Sequence, residues 1–137
     1  KKAYLEEEKR KAQEKFEREK KIREALSEEY KDCVEIDFEV KGVFARSKAA
    51  KDIVLAMEVG EEVKLKKEPT NPYDSNAVKV IAARHHVGYI PKKASRFVTE
   101  LIDNKRIVKV FCKYAGDAKV YVWDKSDPFL DITIFYK

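Results

Sequence analysis

The sequence predicts a mainly β domain of the α+β class, with two short inserted helices and a long charged helix in front of it. Residues 1–31 contain neither Pro nor Gly, and five times a Glu precedes Lys or Arg by four positions, which favours a helix. After residue 31 the apolar residues alternate with a period of two, and turn sequences separate the alternating segments. Six or seven short strands in roughly 105 residues indicate a small barrel or a strongly bent sheet.

The first segment, residues 1–31, is predicted to be a charged helical extension or linker. Its apolar residues are sparse and keep no clean heptad, so a coiled coil formed by this helix would have a weak seam. Two interpretations remain open. The helix is a solvated spacer whose last turns dock on the domain, or it binds a partner or a second copy of the chain.

Residues 32–137 are predicted to form one domain. A strand over 34–40 is bent or ended by Gly42, a short helix follows over 49–57, and Gly60 ends that helix. A second helix begins at Pro91 and ends near Asn104. Residues 115–117 are expected to turn a hairpin, and His85 and His86 to form the tip of another. The remaining strands are predicted at 63–65, 77–81, 87–90, 107–114, 120–123 and 130–136.

The composition limits the class of protein. Charged residues make up 40% of the 137 residues, well above the usual quarter, and hydrophobic residues 44%. No apolar run reaches the roughly 18 to 20 residues of a membrane span, and no signal peptide is visible. We therefore expect an intracellular protein, cytoplasmic in a bacterium or nuclear in a eukaryote, without a membrane partner. Because the chain begins without Met, we also expect it to be part of a longer protein.

Catalytic and metal-binding patterns are missing from the sequence. Cys33 and Cys112 lack metal-ligand spacing and are expected to be buried or free thiols. Adjacent residues of an extended segment point to opposite faces, so His85 and His86 form a poor metal site. There is no Ser-based nucleophile elbow and no Gly-rich phosphate loop. We expect no catalytic residue, no metal and no cofactor.

The net charge of +5 is unevenly distributed. Residues 84–113 hold eight basic residues against only Glu100 and Asp103. Such a cluster is typical of a surface that binds a phosphate backbone, and the alternative is a generic solvated surface. The basic residues are Arg84, Lys92, Lys93, Arg96, Lys105, Arg106, Lys109 and Lys113.

Two sequence blocks, "EPTNPYDSNAVKV" at 68–80 and "VGYIP" at 87–91, resemble the HIRAN domain. This module is found in fork-remodelling DNA translocases and, in bacteria, alone or fused to helicases and nucleases. The resemblance covers roughly residues 34–136. It implies an OB-like β-barrel that binds single-stranded DNA, with translocase members capturing a free 3′ hydroxyl end. It also implies a role in DNA repair, replication or processing beside a helicase or nuclease domain in the same or another chain.

The resemblance assigns roles to the first block. Tyr73 offers a face for stacking a terminal base, and Asp74 accepts a hydrogen bond from a 3′ hydroxyl. Asn71 either donates to phosphate or shapes the turn, whereas Asn76 is expected to be structural. The alternative for Tyr73 is a ring packed on the barrel rim.

In the second block, Tyr89 corresponds to a pocket side chain and Lys92 to a phosphate-contacting lysine, and Lys93 extends the charge. One departure concerns end specificity, because translocase members carry an Arg-Tyr pair where this chain has Phe44-Ala45 followed by Arg46. Phe44 and Arg46 replace that pair if strand alternation puts them on one face. Packing in the core or at the rim is the alternative for Phe44 and Tyr89, and Trp123 and Phe129 either line the groove or fill the core.

Two other functions compete with DNA binding. The first is a protein interaction module without a nucleic-acid ligand, whose lysines serve solubility alone. The second is a nuclease using Asp74 and the histidines, which lacks a second carboxylate placed near Asp74. Oligomeric state and the choice between DNA and RNA stay open.

Overall fold

The structure is a computed structural model that describes residues 2–137 and has a mixed α+β fold with six strands. The long N-terminal helix and both inserted helices form as predicted. A single 3₁₀ turn, Val43–Ala45, follows the first strand. The elements are α1 Lys2–Glu29, β1 Val34–Glu39, α2 Lys48–Ala56, β2 Lys64–Lys67, β3 Val78–Ala82, β4 His85–Tyr89, α3 Lys92–Asp103, β5 Ile107–Asp117 and β6 Pro128–Tyr136.

The strands form two antiparallel three-stranded sheets, with the orders β1-β6-β5 and β2-β3-β4. Two isolated bridges connect the sheets. Lys41 pairs with Tyr89 beyond the end of β1, and Glu62 pairs with Phe111 of β5. The first junction includes Tyr89 of the "VGYIP" block, so it matters for the site.

The apolar residues that alternate in β6 and β3 are buried, and in the second half of β6 Thr133 and Phe135 on the opposite face are buried as well. Leu130, Ile132 and Ile134 of β6 and Val78 and Val80 of β3 are fully buried. Helices α2 and α3 add one buried face each, and the Ser47 hydroxyl caps α2 by accepting the amide of Ala50 at 3.1 Å. The core thus lies between the two sheets, and the helices cover it.

Both cysteines are free thiols, as expected. Cys112 is buried in the core, and this burial raises the pKa of its thiol to about 12. Such a thiol stays protonated and unreactive at neutral pH.

The last turns of α1 dock on the domain. Ile22 packs close to Gly60, and the ring of Tyr30 stacks on Phe135 at a centroid distance of 4.9 Å. The Arg23 guanidinium lies over the Tyr114 ring at 4.4 Å. The docked last turns agree with the spacer interpretation, and the apolar side chains of Tyr4, Leu5 and Phe16 further toward the N-terminus are exposed.

The predicted strand at 120–123 is wrong. Residues 115–117 do not turn a hairpin but continue β5, where Gly116 pairs with Phe129 of β6. The Asp117 carboxylate accepts the amides of Lys119 and Asp127, and these bonds close a loop instead of a ladder. Trp123 lies in this loop and is 77% exposed, whereas Phe129 is half-buried in β6 beside Gly116.

Two further local predictions need correction. The tip of the β3–β4 hairpin is Ala83-Arg84, both with positive φ as a tight hairpin turn requires, so His85 and His86 begin β4. Phe44 lies in the 3₁₀ turn, where strand alternation does not apply. The cause is Gly42, whose φ of 74° turns the chain out of the strand direction.

Among residues 2–137, none of the helices combines the length and the apolar character that a membrane crossing requires.

Candidate functional site

The loop between β2 and β3 is organised by Asn71. Its Oδ1 atom accepts the backbone amides of Tyr73 at 2.9 Å and Asp74 at 3.1 Å. Its Nδ2 atom donates to Glu68 Oε1 at 2.7 Å. An Asn that bonds the backbone two and three residues ahead stabilises a turn without help from the rest of the fold. Of the two roles open for Asn71, these contacts favour shaping the turn.

Tyr89 of β4 holds this loop against the sheet β2-β3-β4, to which the loop belongs. Its hydroxyl donates to Glu68 Oε1 at 2.8 Å, and Lys79 Nζ lies 2.9 Å from the other carboxylate oxygen of Glu68. Lys79, Asn71 and Tyr89 together lower the pKa of Glu68 to about 2. Burial, followed by Glu68, raises the pKa of Tyr89, so its hydroxyl remains a donor. Glu68 is therefore the ionised centre of the loop.

Asp74 fastens the other end of the loop to α3. Its Oδ1 atom accepts the amide of Asn76 at 2.9 Å, and its Oδ2 atom lies 2.7 Å from the hydroxyl of Ser95, which is 2% exposed. The same hydroxyl lies 2.8 Å from the carbonyl oxygen of Lys92. Each Asp74 oxygen retains further acceptor capacity, since a carboxylate offers about four lone-pair sites. Asp74 thus has a structural role and free acceptor positions at once.

A depression of ≈ 240 Å³ opens between this loop, β4 and the start of α3. The Tyr73 ring is 84% exposed and lies at its edge. Five residues singled out from the sequence meet here, together with Lys41, Ala77 and Ile90. Those five are Asn71, Tyr73, Asp74, Tyr89 and Lys92.

The sequence did not indicate Lys41, Glu68 or Ser95 as part of this site. Lys41 reaches it because its amide and carbonyl both bond to Tyr89, each at 2.8 Å. This approach depends on Gly88, where an added Cβ would meet Val40 at 2.4 Å and the Lys41 carbonyl oxygen at 2.7 Å. A bridge between segments nearly 50 residues apart leaves no local sequence signal. Ser95 had a signal, since a polar residue on the buried face of a predicted helix must find a partner, and Glu68 belongs to the first sequence block.

Arg46 contacts the depression only through Tyr89. Its guanidinium lies 5.3 Å from the centre of the Tyr89 ring, and its Nη1 atom lies 3.1 Å from His86 Nδ1. His86 in turn meets Tyr89 edge-on at 4.6 Å. Burial, and after it the charge of Arg46, lowers the pKa of His86. The Tyr89 ring therefore contacts the charged guanidinium of Arg46 and the neutral imidazole of His86.

Phe44 and Lys93 do not line the depression. Phe44 is 75% exposed on the 3₁₀ turn, and Lys93 is exposed on the first turn of α3. The basic residues of 84–113 do not gather at the depression either, and only Lys92 lines it. Lys109 pairs with Glu62 at 2.8 Å, and Lys113 pairs with Asp37 at 2.5 Å. Local carboxylates thus compensate part of the charge cluster.

Over residues 2–137 no cluster of three or more His, Cys, Asp or Glu side chains is arranged to hold a metal ion. The depression offers instead an exposed aromatic ring, two lysines, a carboxylate and the start of a helix. These groups suit a ligand with flat rings, negative charge and hydroxyl donors.

Known structures and sequences resemble this chain. A protein from Lactobacillus plantarum superposes with a TM-score of 0.52 at 21% identity, over 77% of this chain and 97% of that protein. The HIRAN domain of human HLTF gives a TM-score of 0.49 at 22% identity, over 75% of this chain and 76% of that one. The HLTF HIRAN domain in its DNA-bound conformation gives 0.47 at 22% identity, over 80% and 82%. No curated protein matches the sequence significantly.

The first of these similarities supports the fold. The sequence profile described as "HIRAN domain" matches residues 35–126, about two thirds of the chain, and spans β1 to β5 with the loop and the depression between them. The chain belongs to the HIRAN domain family.

Proposed function

We propose that this chain is a non-catalytic module that binds single-stranded DNA in the depression and recognises its 3′ hydroxyl end. The observation that carries the proposal is the exposed Tyr73 ring at the edge of a depression that also holds Lys41, Lys92 and Asp74. Membership of the HIRAN family supports it, as does the DNA-bound conformation determined for the HLTF domain.

Tyr73 provides the stacking surface in this proposal. The Asn71-centred turn holds the Tyr73 backbone, so the loop loses little backbone freedom when a base stacks on the exposed ring. Stacking of one base on an aromatic ring contributes about 1–3 kcal/mol and tolerates any base. Single-strand selectivity follows, because the bases of a duplex are already stacked on each other.

Lys41 and Lys92 supply the phosphate contacts. Both line the depression, and Lys92 is the first residue of α3. Pro91 precedes the helix and provides no side-chain cap, and the Ala94 amide donates to the Pro91 carbonyl oxygen, so the amides of Lys92 and Lys93 are left for solvent or an anion. Lys93 adds charge next to the depression without lining it.

Asp74 is the proposed reader of the 3′ end. A carboxylate repels phosphate, but its free acceptor positions take a hydrogen bond from a terminal hydroxyl, which an internal linkage does not have. The bonds to Asn76 and Ser95 hold the carboxylate in a fixed orientation for this role.

Arg46 contacts Tyr89 and replaces the basic member of the Arg-Tyr pair of the translocases. Phe44 lies outside the depression and adds a second exposed ring. We assign the two bridged sheets to an OB-like barrel, with 1–31 as the extension and 32–137 as the domain. We propose that the module binds DNA for a helicase or nuclease domain in the same or another chain.

The test compares two decanucleotides, dT10 with a 3′ hydroxyl and dT10 with a 3′ phosphate, by fluorescence anisotropy with a 5′ label. We expect the phosphate to weaken binding several-fold, because it removes the donor and adds charge beside Asp74. A 5′ phosphate, placed on dT10 that is labelled at an internal thymine instead, should have no such effect.

Asp74→Asn isolates the cause of this difference. The amide can still accept from the Asn76 amide and donate to Ser95 Oγ, while the Ser95 hydroxyl turns to the Lys92 carbonyl. We therefore expect the variant to fold normally and to bind both oligonucleotides with similar affinity. Equal affinities for the two oligonucleotides in the unchanged protein would leave general single-strand binding and refute end recognition.

A further inference from the structure

A second depression, of ≈ 270 Å³, lies at the far end of α3 between β2 and β5. Helix α3 has 12 residues, so its two ends are separated by about 18 Å at a rise of ~1.5 Å per residue. Lys92 lines the first depression, and Lys105, just beyond the end of α3, lines the second. The two sites share no lining residue.

Two strand edges meet at this depression without completing a ladder. The segment before β2 pairs with β5 through Glu62 and Phe111, and the last bond is donated by the Val63 amide to the Val110 carbonyl at 3.0 Å. Alternate residues of a strand bond to the same neighbour. The backbone groups of Leu65 on β2 therefore face the gap. On β5 the register shift between Ile107 and Lys109 places a bulge at Val108, and among residues 2–137 no hydrogen bond joins Leu65 to Val108.

The lining of the gap combines an apolar floor with a basic rim. Leu101 and Ile102 of α3 and Leu65 of β2 form part of the floor, and Val108 is 39% exposed at its edge. Three lysines, Lys64, Lys105 and Lys109, stand against the single carboxylate of Glu62. Glu62 binds both Lys64 and Lys109, which leaves Lys105 without an ion-pair partner among the described residues.

We propose that this gap is a docking site for an extended acidic peptide of a partner protein, which adds a strand to the β2 edge and places one apolar side chain in the depression. Unpaired edge amides and carbonyls supply affinity in such strand addition, and the pocket supplies specificity. The basic rim selects acidic flanking residues on the peptide.

The same charges argue against other occupants. A second copy of this chain would bring its own β2, Lys64–Lys67, which carries three lysines in four residues, and the like charges would repel. A nucleic-acid strand would match the lysines, but its phosphates are acceptors, so they would leave the carbonyl oxygens of the free strand edge unpaired and would gain nothing from the apolar floor.

The test uses the whole chain labelled with ¹⁵N and the heptapeptide Glu-Asp-Val-Leu-Val-Glu-Asp as probe. Titration should shift the amide resonances of residues 64–67 and 105–109. A separate titration with dT10 should shift residues around the first depression instead. The charge-reversed peptide Lys-Lys-Val-Leu-Val-Lys-Lys should bind at least ten-fold more weakly, and a version N-methylated at both valines should lose most of its binding.

Two variants locate the contact, Val108→Glu and Lys105→Glu, with Lys20→Glu on the exposed face of α1 as the matched control. We expect the first two variants to bind the acidic peptide at least five-fold more weakly and the control to bind it with unchanged affinity. Equal binding of the acidic and charge-reversed peptides, absence of binding at 1 mM peptide, or shifts outside both segments would overturn the proposal. Shifts of 64–67 and 105–109 by dT10 would assign the gap to nucleic acid and also overturn it.

Discussion

Replacing Tyr73 with Ala is the most direct perturbation of the first depression. The ring is 84% exposed, and the hydrogen bonds that shape the loop involve the backbone of Tyr73 and not its side chain. The substitution should therefore change the free energy of unfolding by less than about 0.5 kcal/mol, as is usual for exposed positions. If one base stacks on the ring, the binding free energy should fall by about 1–3 kcal/mol. That loss corresponds to a dissociation constant raised roughly 5- to 150-fold.

Fluorescence anisotropy with 5′-labelled dT10 measures this change at one fixed salt concentration. Tyr73→Phe should bind like the unchanged protein, since the ring stacks without its hydroxyl. Tyr4→Ala, which removes an exposed tyrosine from α1, is the matched control and should have no effect. Circular dichroism should give the same melting temperature for all four proteins. An unchanged dissociation constant for Tyr73→Ala would refute the assignment of the ring to base stacking.

Two further predictions concern the charges around the same depression. Lys92→Ala should modestly weaken the binding of dT10 and reduce the slope of log affinity against log salt by about one, because one phosphate contact is lost. An unaltered slope would exclude this contact. Lys125→Ala, on an exposed loop, is the control. The folded pKa of Glu68, about 2, lies below that of an unfolded glutamate, so its contribution to stability is complete above about pH 4.3 and disappears as the pH falls toward about 2. Glu68→Gln should lower the melting temperature at pH 7, and the melting temperature of the variant should fall less steeply between pH 5 and 2.5. A decrease as steep as that of the unchanged protein would show that the Glu68 carboxylate does not cause the acid sensitivity.

The sequence was sufficient for elements whose apolar residues keep one period. The alternation over 130–136 predicts the buried positions Leu130, Ile132 and Ile134, and the 3.6-residue spacing in α3 places Val98 and Leu101 in the core. It does not predict the burial of Phe135, on which Tyr30 stacks. It failed at 120–123, where β-branched and aromatic residues look like a strand. There the bonds of Asp117 and Asp124 to loop amides decide the structure, and short carboxylates that close a loop leave no periodic pattern.

The candidate site was predictable to the extent that it lies in contiguous motifs. Tyr73 and Asp74 share one block, Tyr89 lies in the second and Lys92 directly follows it, and the structure brings all four to one depression. Lys41 was missed because its position depends on a bridge to Tyr89 and not on its neighbours in sequence. Phe44 was misplaced because Gly42 turns the chain before the expected alternation can continue.

The glycine of the "VGYIP" block has a consequence for anyone who wishes to move this site to another scaffold. Gly88 does not line the depression, yet a single methyl group there would occupy the space of Val40 and the Lys41 carbonyl. A graft that copied Tyr73, Asp74, Tyr89 and Lys92 onto a host strand without that glycine would hold Lys41 away from Tyr89. A graft must therefore transfer the paired backbone segments around Lys41 and Tyr89 together with the side chains of the site.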